Sequence, residues 1–186
     1  MNAVNSGFTN SNKKMIMEAK LEIARLIDTH IPHFMMEPNS KFIKSWCIAG
    51  GLFSSVIWGH ADSDIDVWVF RDQKALYDLI IQKLNVSKKV SSYYDADLIN
   101  TILTWKGGPS RKVQFLFLSK DQMNPAKIVD TFDYVHCQPY YYDNTIYISK
   151  YQFDCIVKKR LVHVGKKPSA KERVDKWISR GYKVYI

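Results

Sequence analysis

The sequence has few cysteines and no long apolar run. No stretch approaches the ~20 consecutive apolar residues of a membrane-spanning helix, so no membrane span is expected. Cys47, Cys137 and Cys155 lie far apart and form no Cys-x-x-Cys pair, which argues against a disulfide framework or a zinc site. No basic-then-apolar leader opens the chain. These absences predict a cytoplasmic protein.

Acidic residues are scarce relative to basic ones. The 186 residues include 27 Lys and Arg against 18 Asp and Glu, a net charge of +9. Such an excess is typical of proteins that bind polyanions, although solubility alone also accounts for it. A kinase-like phosphotransferase is the weaker expectation, because the chain contains no Gly-x-x-x-x-Gly-Lys loop.

The length and the 46% hydrophobic content suit one compact domain with an appendage. Residues 1–12 are small and polar and predict a flexible tail, followed by a core domain over 13–150. Residues 151–186 predict a basic helical extension packed on that core. Apolar spacing predicts an α+β fold, a mixed and mostly antiparallel sheet flanked by helices. The predicted helices cover 13–30, 52–58, 73–85, 124–131 and 169–181, and the predicted strands cover 46–49, 64–70, 98–105, 111–118, 132–138 and 144–149.

One stretch organises the rest of the chain. An apolar run ends in Gly50-Gly51 and a short helix follows, so free backbone N–H groups there would suit a phosphate, with Ser54 and Ser55 adding hydroxyls. Asp64 and Asp66 lie two residues apart on a predicted strand, so both side chains project from the same face. Two adjacent carboxylates call for a cation, and Mg²⁺ (or Mn²⁺) fits oxygen ligands best. The alternative interpretation is that Gly50-Gly51 forms an ordinary tight turn and that the two acids lie at a solvated strand end.

Ala49-Gly50-Gly51 followed by Asp64-Ile65-Asp66-Val67 resembles the signature of the nucleotidyltransferase superfamily, which has the fold of DNA polymerase beta. Weaker resemblances around Gln114, around Asp133 and over 173–181 link the chain to small nucleotidyltransferase-like proteins of phages and large DNA viruses. The resemblance implies an enzyme that uses an NTP such as ATP and a divalent metal, in the host cytoplasm if it is viral.

The superfamily generally uses a third carboxylate, which helps to hold the metal that activates the attacking hydroxyl. At the strand position where the resemblance places that acid, this chain has Gln114. Asp133 is the replacement that the viral group suggests, and a strand-end cap is its alternative role. Asp95 and Asp97 are further candidates.

The C-terminal region carries most of the excess charge, with ten Lys and Arg between Lys158 and Lys183 against Glu172 and Asp175. A capping box at Ser169 and Gly181 at the other end bound a predicted helix. Arg173, Lys176 and Arg180 fall on one face, where they either contact phosphates of a nucleotide or nucleic acid or are solvated. Val174, Trp177 and Ile178 are expected to dock the helix.

The leading hypothesis is a metal-dependent nucleotidyltransferase that transfers an NMP to a hydroxyl acceptor and releases pyrophosphate. The acceptor is RNA, DNA, a protein hydroxyl or a small molecule. The alternative is a weak or inactive module of the same fold that binds nucleic acid or a protein partner. The sequence predicts neither the nucleotide base nor the oligomeric state.

Overall fold

A computed structural model describes residues 7–37, 40–60, 63–90, 99–106, 111–118, 124–165 and 168–185. Seven strands form the main sheet: β1 (Trp46–Ala49), β2 (Ile65–Val69), β3 (Val86–Val90), β4 (Ile99–Trp105), β5 (Val113–Leu118), β6 (Tyr140–Tyr142) and β7 (Thr145–Tyr147). Their order is β3-β4-β5-β2-β1-β6-β7. β2 and β5 run parallel, and the other neighbouring pairs run antiparallel. The predicted mixed, mostly antiparallel sheet is confirmed.

Helices cover both faces of this sheet. They are α1 (Asn10–His30), α2 (His33–Met36), α3 (Leu52–Trp58), α4 (Gln73–Lys83), α5 (Pro125–Val129), α6 (Lys150–Val157) and α7 (Lys171–Ser179). A small parallel pair, β8 (Arg160–Leu161) and β9 (Lys183–Val184), ties the end of the chain back to the residues after α6. Within the described ranges, no helix is long and apolar enough to cross a membrane.

Alternation along the strands divides the core into two layers. On β2, Ile65, Val67 and Val69 face the larger layer, which α1, α4 and α6 cover. Trp68 faces the opposite layer, together with residues of α5 and with Trp177 of α7. Because side chains alternate along a strand, Asp66 lies on this second side, between β2 and the C-terminal part of the chain.

Three segments differ from the sequence-based expectation. The polar segment around Lys88 forms β3, an edge strand that pairs with β4 and so needs little apolar character. Residues 132–138 form no strand, because a 3-10 turn at Val135–Cys137 follows a single bridge between Tyr134 and His163. The tyrosines of β6 pair with both β1 and β7 instead.

The two ends of the predicted core domain also differ from the structure. α1 starts within the predicted tail, where the Thr9 side chain accepts a hydrogen bond from the Asn12 N–H. Phe8 is buried in edge-to-face contact with Phe153 of α6. Phe153 and Ile156 belong to the larger core layer, so α6 is part of the core although it follows residue 150.

Candidate nucleotide and metal site

Gly50 brings the end of β1 against Asp66. Its φ of 109° lies in the region that favours glycine, and a Cβ built there would lie 2.9 Å from Asp66 Oδ2. The Gly50 N–H donates to the Cys137 carbonyl at 3.2 Å, which anchors the turn to the 3-10 segment. The first glycine of the motif is therefore required both by backbone conformation and by the adjacent carboxylate.

Asp64, Asp66 and Gln114 form one polar cluster. Asp66 is registered beside Gln114 on the parallel strand β5. The Gln114 Nε2 donates to Asp64 Oδ2 at 3.4 Å, a long hydrogen bond between partly buried side chains. The predicted pair of acids is thus side by side, and Gln114 occupies the third place beside it.

The charge of Asp66 is unfavourable in this setting. Burial, and next the negative charge of Asp64, raise the pKa of Asp66 to about 7, while the positive charges of Lys176 and Arg173 oppose that rise. A carboxylate pair of this kind is stabilised by a cation with oxygen ligands. Mg²⁺ or Mn²⁺ fits the chemistry of these donors, since both acids supply carboxylate oxygens. Within the described residues, no group of three or more His, Cys, Asp or Glu side chains is placed to hold a metal.

Ser54 and Ser55 follow the glycines on α3, and both side chains are buried. The Ser54 hydroxyl shares a hydrogen bond with the Tyr182 hydroxyl, and the Ser55 hydroxyl shares one with Ser63. Both predicted phosphate ligands therefore have protein partners, and Ser54 would have to exchange its partner to contact a phosphate.

The C-terminal helix α7 packs directly on the glycine turn. A Cβ at Gly51 would lie 3.0 Å from the Trp177 ring, so the second glycine makes room for that indole. Trp177 is buried and also meets the His136 ring, with centroids 4.2 Å apart. His136 is fully buried, and its pKa falls to about 3 through burial and the positive charges of Arg173 and Arg180.

Asp133 lies before the 3-10 turn, in contact with the C-terminal region. Arg173 Nη2 lies 2.9 Å from Asp133 Oδ1, and the Ser169 hydroxyl donates to Asp133 Oδ2 at 2.7 Å. The predicted capping box is therefore wrong, because Ser169 bonds Asp133 while Ala170 precedes α7 without a side-chain cap. The positive charge of Arg173 also lowers the pKa of Asp66, so one guanidinium acts on both acids.

The three cations predicted on the C-terminal helix have different environments, and Arg180 lies just after the end of α7. Lys176 is exposed and Arg173 is half-buried. Arg180 is only 9% exposed, and its guanidinium donates to the Ser63 hydroxyl at 3.2 Å. Trp177 docks the helix as expected and Val174 packs beside it, whereas Ile178 is 48% exposed and does not. Gly181, with a φ of 85°, ends the helix as predicted.

Sequence reasoning missed the partners that the C-terminal segment brings to this site. Tyr182 and Ser63 carry no catalytic signature, and the apolar face of Val174, Trp177 and Ile178 predicted docking of the helix without indicating these partners. Arg111 was also missed, although its guanidinium holds the loop before β2. Asp95 and Asp97 lie outside the described residues.

Solved structures of CCA-adding enzymes share this fold. A structure with CTP has a TM-score of 0.59 at 13% identity, an apo form has 0.56 at 14%, and the Thermotoga maritima enzyme with tRNA has 0.52 at 13%. Each match covers 94% of this chain but only 42–43% of the other chain. The similarity establishes the nucleotidyltransferase fold, and the chain spans less than half the length of these neighbours.

A search of curated proteins finds no match. A sequence model of the Gabija anti-defense 2 family matches residues 19–159, which include the glycine turn, both acids of β2, Gln114 and Asp133. This match spans most of the chain, and the protein therefore belongs to the Gabija anti-defense 2 family.

Proposed function

We propose that this protein is a metal-dependent nucleotidyltransferase that transfers an NMP from an NTP to a hydroxyl acceptor and releases pyrophosphate. The observation that carries the proposal is the placement of Asp64 and Asp66 side by side, with Asp66 against the Gly50 turn. A carboxylate pair beside a glycine turn joins a metal site to a phosphate site, as nucleotidyl transfer requires.

Each residue has a role in this proposal. Asp64 and Asp66 bind Mg²⁺ or Mn²⁺, which would neutralise phosphate charge when bound. Gly51, Ser54 and Ser55 hold the triphosphate once the two hydroxyls exchange Tyr182 and Ser63 for a phosphate. Gly50, whose N–H already donates to Cys137, allows the close approach of the turn. Lys176 and Arg173, whose charges already act on Asp66, contact the outer oxygens of the triphosphate.

Asp133 is the proposed third acid, which orients the acceptor hydroxyl. In the structure, Arg173 Nη2 lies 2.9 Å from Asp133 Oδ1 and so holds this carboxylate. An NTP offers Arg173 a competing anion, so transfer of the guanidinium to the phosphates would free Asp133 Oδ1 for the acceptor, while Ser169 keeps its hydrogen bond to Oδ2.

A nucleic acid, RNA or another, is the acceptor class that the charge of +9 supports. ATP is one of the nucleotides to test. The family description names an anti-defence role against Gabija, and a phage protein in the host cytoplasm is consistent with that name.

The test is incubation with each labelled NTP, Mg²⁺ or Mn²⁺, and separated fractions of host RNA, DNA and protein. We expect label in one fraction, and loss of that label in the Asp64→Asn, Asp66→Asn double variant. Asp175→Asn, which changes an exposed acid on α7, is the matched control and should keep activity. Equal labelling by the double variant would refute the mechanism.

A second candidate is a non-catalytic module of the same fold that binds nucleic acid or a protein partner. Gln114 favours it, because a neutral amide stands beside the two acids. A ligand that binds only the folded state raises the melting temperature. Metal-dependent stabilisation by an NTP supports the enzyme, whereas stabilisation by RNA alone supports the module.

A further inference from the structure

Ser63 immediately precedes the acid Asp64 and is held from three directions. Its hydroxyl meets Ser55 of α3 and accepts a hydrogen bond from Arg180 Nη1 at 3.2 Å. Its carbonyl accepts from Arg111 Nη1 at 3.0 Å, and Arg111 Nη2 also donates to the His60 carbonyl at 3.2 Å. Ser63 is 4% exposed, so these contacts fix the backbone from which Asp64 projects.

Arg180 is itself firmly placed. Its guanidinium carbon lies 5.2 Å from the centroid of the Trp177 ring, and Trp177 packs on Gly51. Its carbonyl accepts a hydrogen bond from Lys159 Nζ at 2.8 Å, and that ammonium lies over the Trp58 ring. The side chain is therefore turned into the protein, away from the exposed face that carries Lys176.

We propose that Arg180 is a positioning residue that holds Ser63 and thereby directs the Asp64 carboxylate towards the metal. This inference rests on the proposed metal site and gives Arg180 a different task from the phosphate contacts of Arg173 and Lys176. It also gives the C-terminal segment a direct part in the site, although Arg180 follows Ser63 by 117 positions. Groups that orient a metal ligand in this way typically change metal affinity by about 10–100-fold when removed.

The test uses Arg180→Met, which keeps an unbranched side chain against Trp177 and removes the guanidinium. Ser63→Ala, the double variant and Arg180→Lys complete the set. Lys171→Met, which changes an exposed cation at the start of α7, is the control. Two quantities are measured on the full chain. They are hydrogen exchange of the peptide that contains Ser63 to Asp66, without metal, and the Mn²⁺ dissociation constant by electron paramagnetic resonance.

We expect Arg180→Met and Ser63→Ala each to speed exchange of that peptide about tenfold, the size expected for one hydrogen bond to a charged donor. Each should also weaken Mn²⁺ binding about tenfold. The double variant should be no worse than Ser63→Ala alone, because Ser63→Ala already removes the Arg180 contact together with the Ser55 contact. Arg180→Lys should restore part of both losses, and Lys171→Met should leave exchange unchanged.

Unchanged exchange in Arg180→Met, or independent effects that multiply in the double variant, would overturn the inference. Faster exchange with native Mn²⁺ affinity would overturn it as well, because the loop would then not direct the carboxylate. If the native protein and Asp64→Asn both fail to bind Mn²⁺, the proposed metal site is wrong. In that case, the hydrogen-exchange rates and their non-additivity in the double variant alone decide whether Arg180 holds Ser63. Unchanged exchange of α1 and α4 peptides checks that the variants remain folded.

Discussion

The Gln114 side chain donates a 3.4 Å hydrogen bond to Asp64, while its backbone is registered beside Asp66 on the neighbouring strand. An amide thus stands where a third acid would complete a carboxylate cluster. Gln contributes no charge and is a weaker metal ligand than a carboxylate, but it relieves the repulsion between Asp64 and Asp66. The same residue therefore stabilises the metal-free protein and limits the affinity of the proposed metal site.

Gln114→Glu should reverse that balance. A carboxylate about 3.4 Å from Asp64 should destabilise the metal-free protein by on the order of 2 kcal/mol, which lowers the melting temperature by about 4–8 °C. Saturating Mn²⁺ should restore the loss and bind more tightly than in the native protein. Thermal shift against Mn²⁺ concentration measures both effects. Gln114→Leu, of similar size and without charge, should gain no metal response, and a metal-independent loss in Gln114→Glu would contradict the prediction.

Asp66→Asn should stabilise the metal-free protein at pH 8 and not at pH 4. The folded pKa of Asp66, about 7, lies above its ordinary value of 3.8. The folded state therefore binds this proton more tightly, and its stability falls as pH rises from about 4 to 7. The neutral amide removes a penalty of about 4 kcal/mol at pH 8. Chemical denaturation at both pH values measures this, with the exposed Asp175→Asn as the control. Equal stability of Asp66→Asn and the native protein at pH 8 would show that burial and Asp64 do not destabilise the ionised carboxylate.

The positions of the main elements could be predicted because local signals were strong there. Helical spacing defines α1 and α4, Asn124-Pro125 marks the start of α5, and glycines bound the turn before α3. The strand that carries Asp66 was found through its alternation, and its partner Gln114 through the resemblance. These signals depend on residues that are close together along the chain.

The remaining features depend on contacts between distant residues. The capping box at Ser169 is a correct local pattern, but Asp133 offers the hydroxyl a charged acceptor and takes it. Ser54 appeared free for a phosphate because nothing near it in sequence indicates Tyr182, which lies 128 residues later. The strand predicted over 132–138 fails because Tyr134 and Val135 bond to residues 162–164 and to no strand of the main sheet.

His136 should make the protein sensitive to acid. Its pKa is lowered from 6.5 to about 3, because burial and the charges of Arg173 and Arg180 disfavour the protonated ring. Stability from this neutral ring is fully present above pH 6.5 and is lost as pH falls towards 3. His136→Phe keeps the ring contacts with Trp177 and Tyr182 and should reduce the loss between pH 6.5 and 4 by about 3 kcal/mol. Denaturant midpoints across this range measure it. The exposed His163→Phe should retain the native slope, and an unchanged slope in His136→Phe would show that other groups cause the acid sensitivity.

Tyr182→Phe should separate the two roles available to Ser54. Tyr182 is 2% exposed, and the variant keeps its ring against His136 while removing the hydroxyl that meets Ser54. Loss of that hydrogen bond should cost about 1 kcal/mol, or about 2–4 °C in melting temperature.

A Ser54 hydroxyl that binds the triphosphate would be released by Tyr182→Phe. NTP affinity in the presence of Mn²⁺ should then rise about twofold to fivefold in Tyr182→Phe and fall in Ser54→Ala, since one hydrogen bond is worth about 1 kcal/mol. Isothermal titration calorimetry measures these affinities. If both variants lose NTP affinity equally, Ser54 and Tyr182 act as a packing pair, and the glycine turn must bind the phosphates without that hydroxyl.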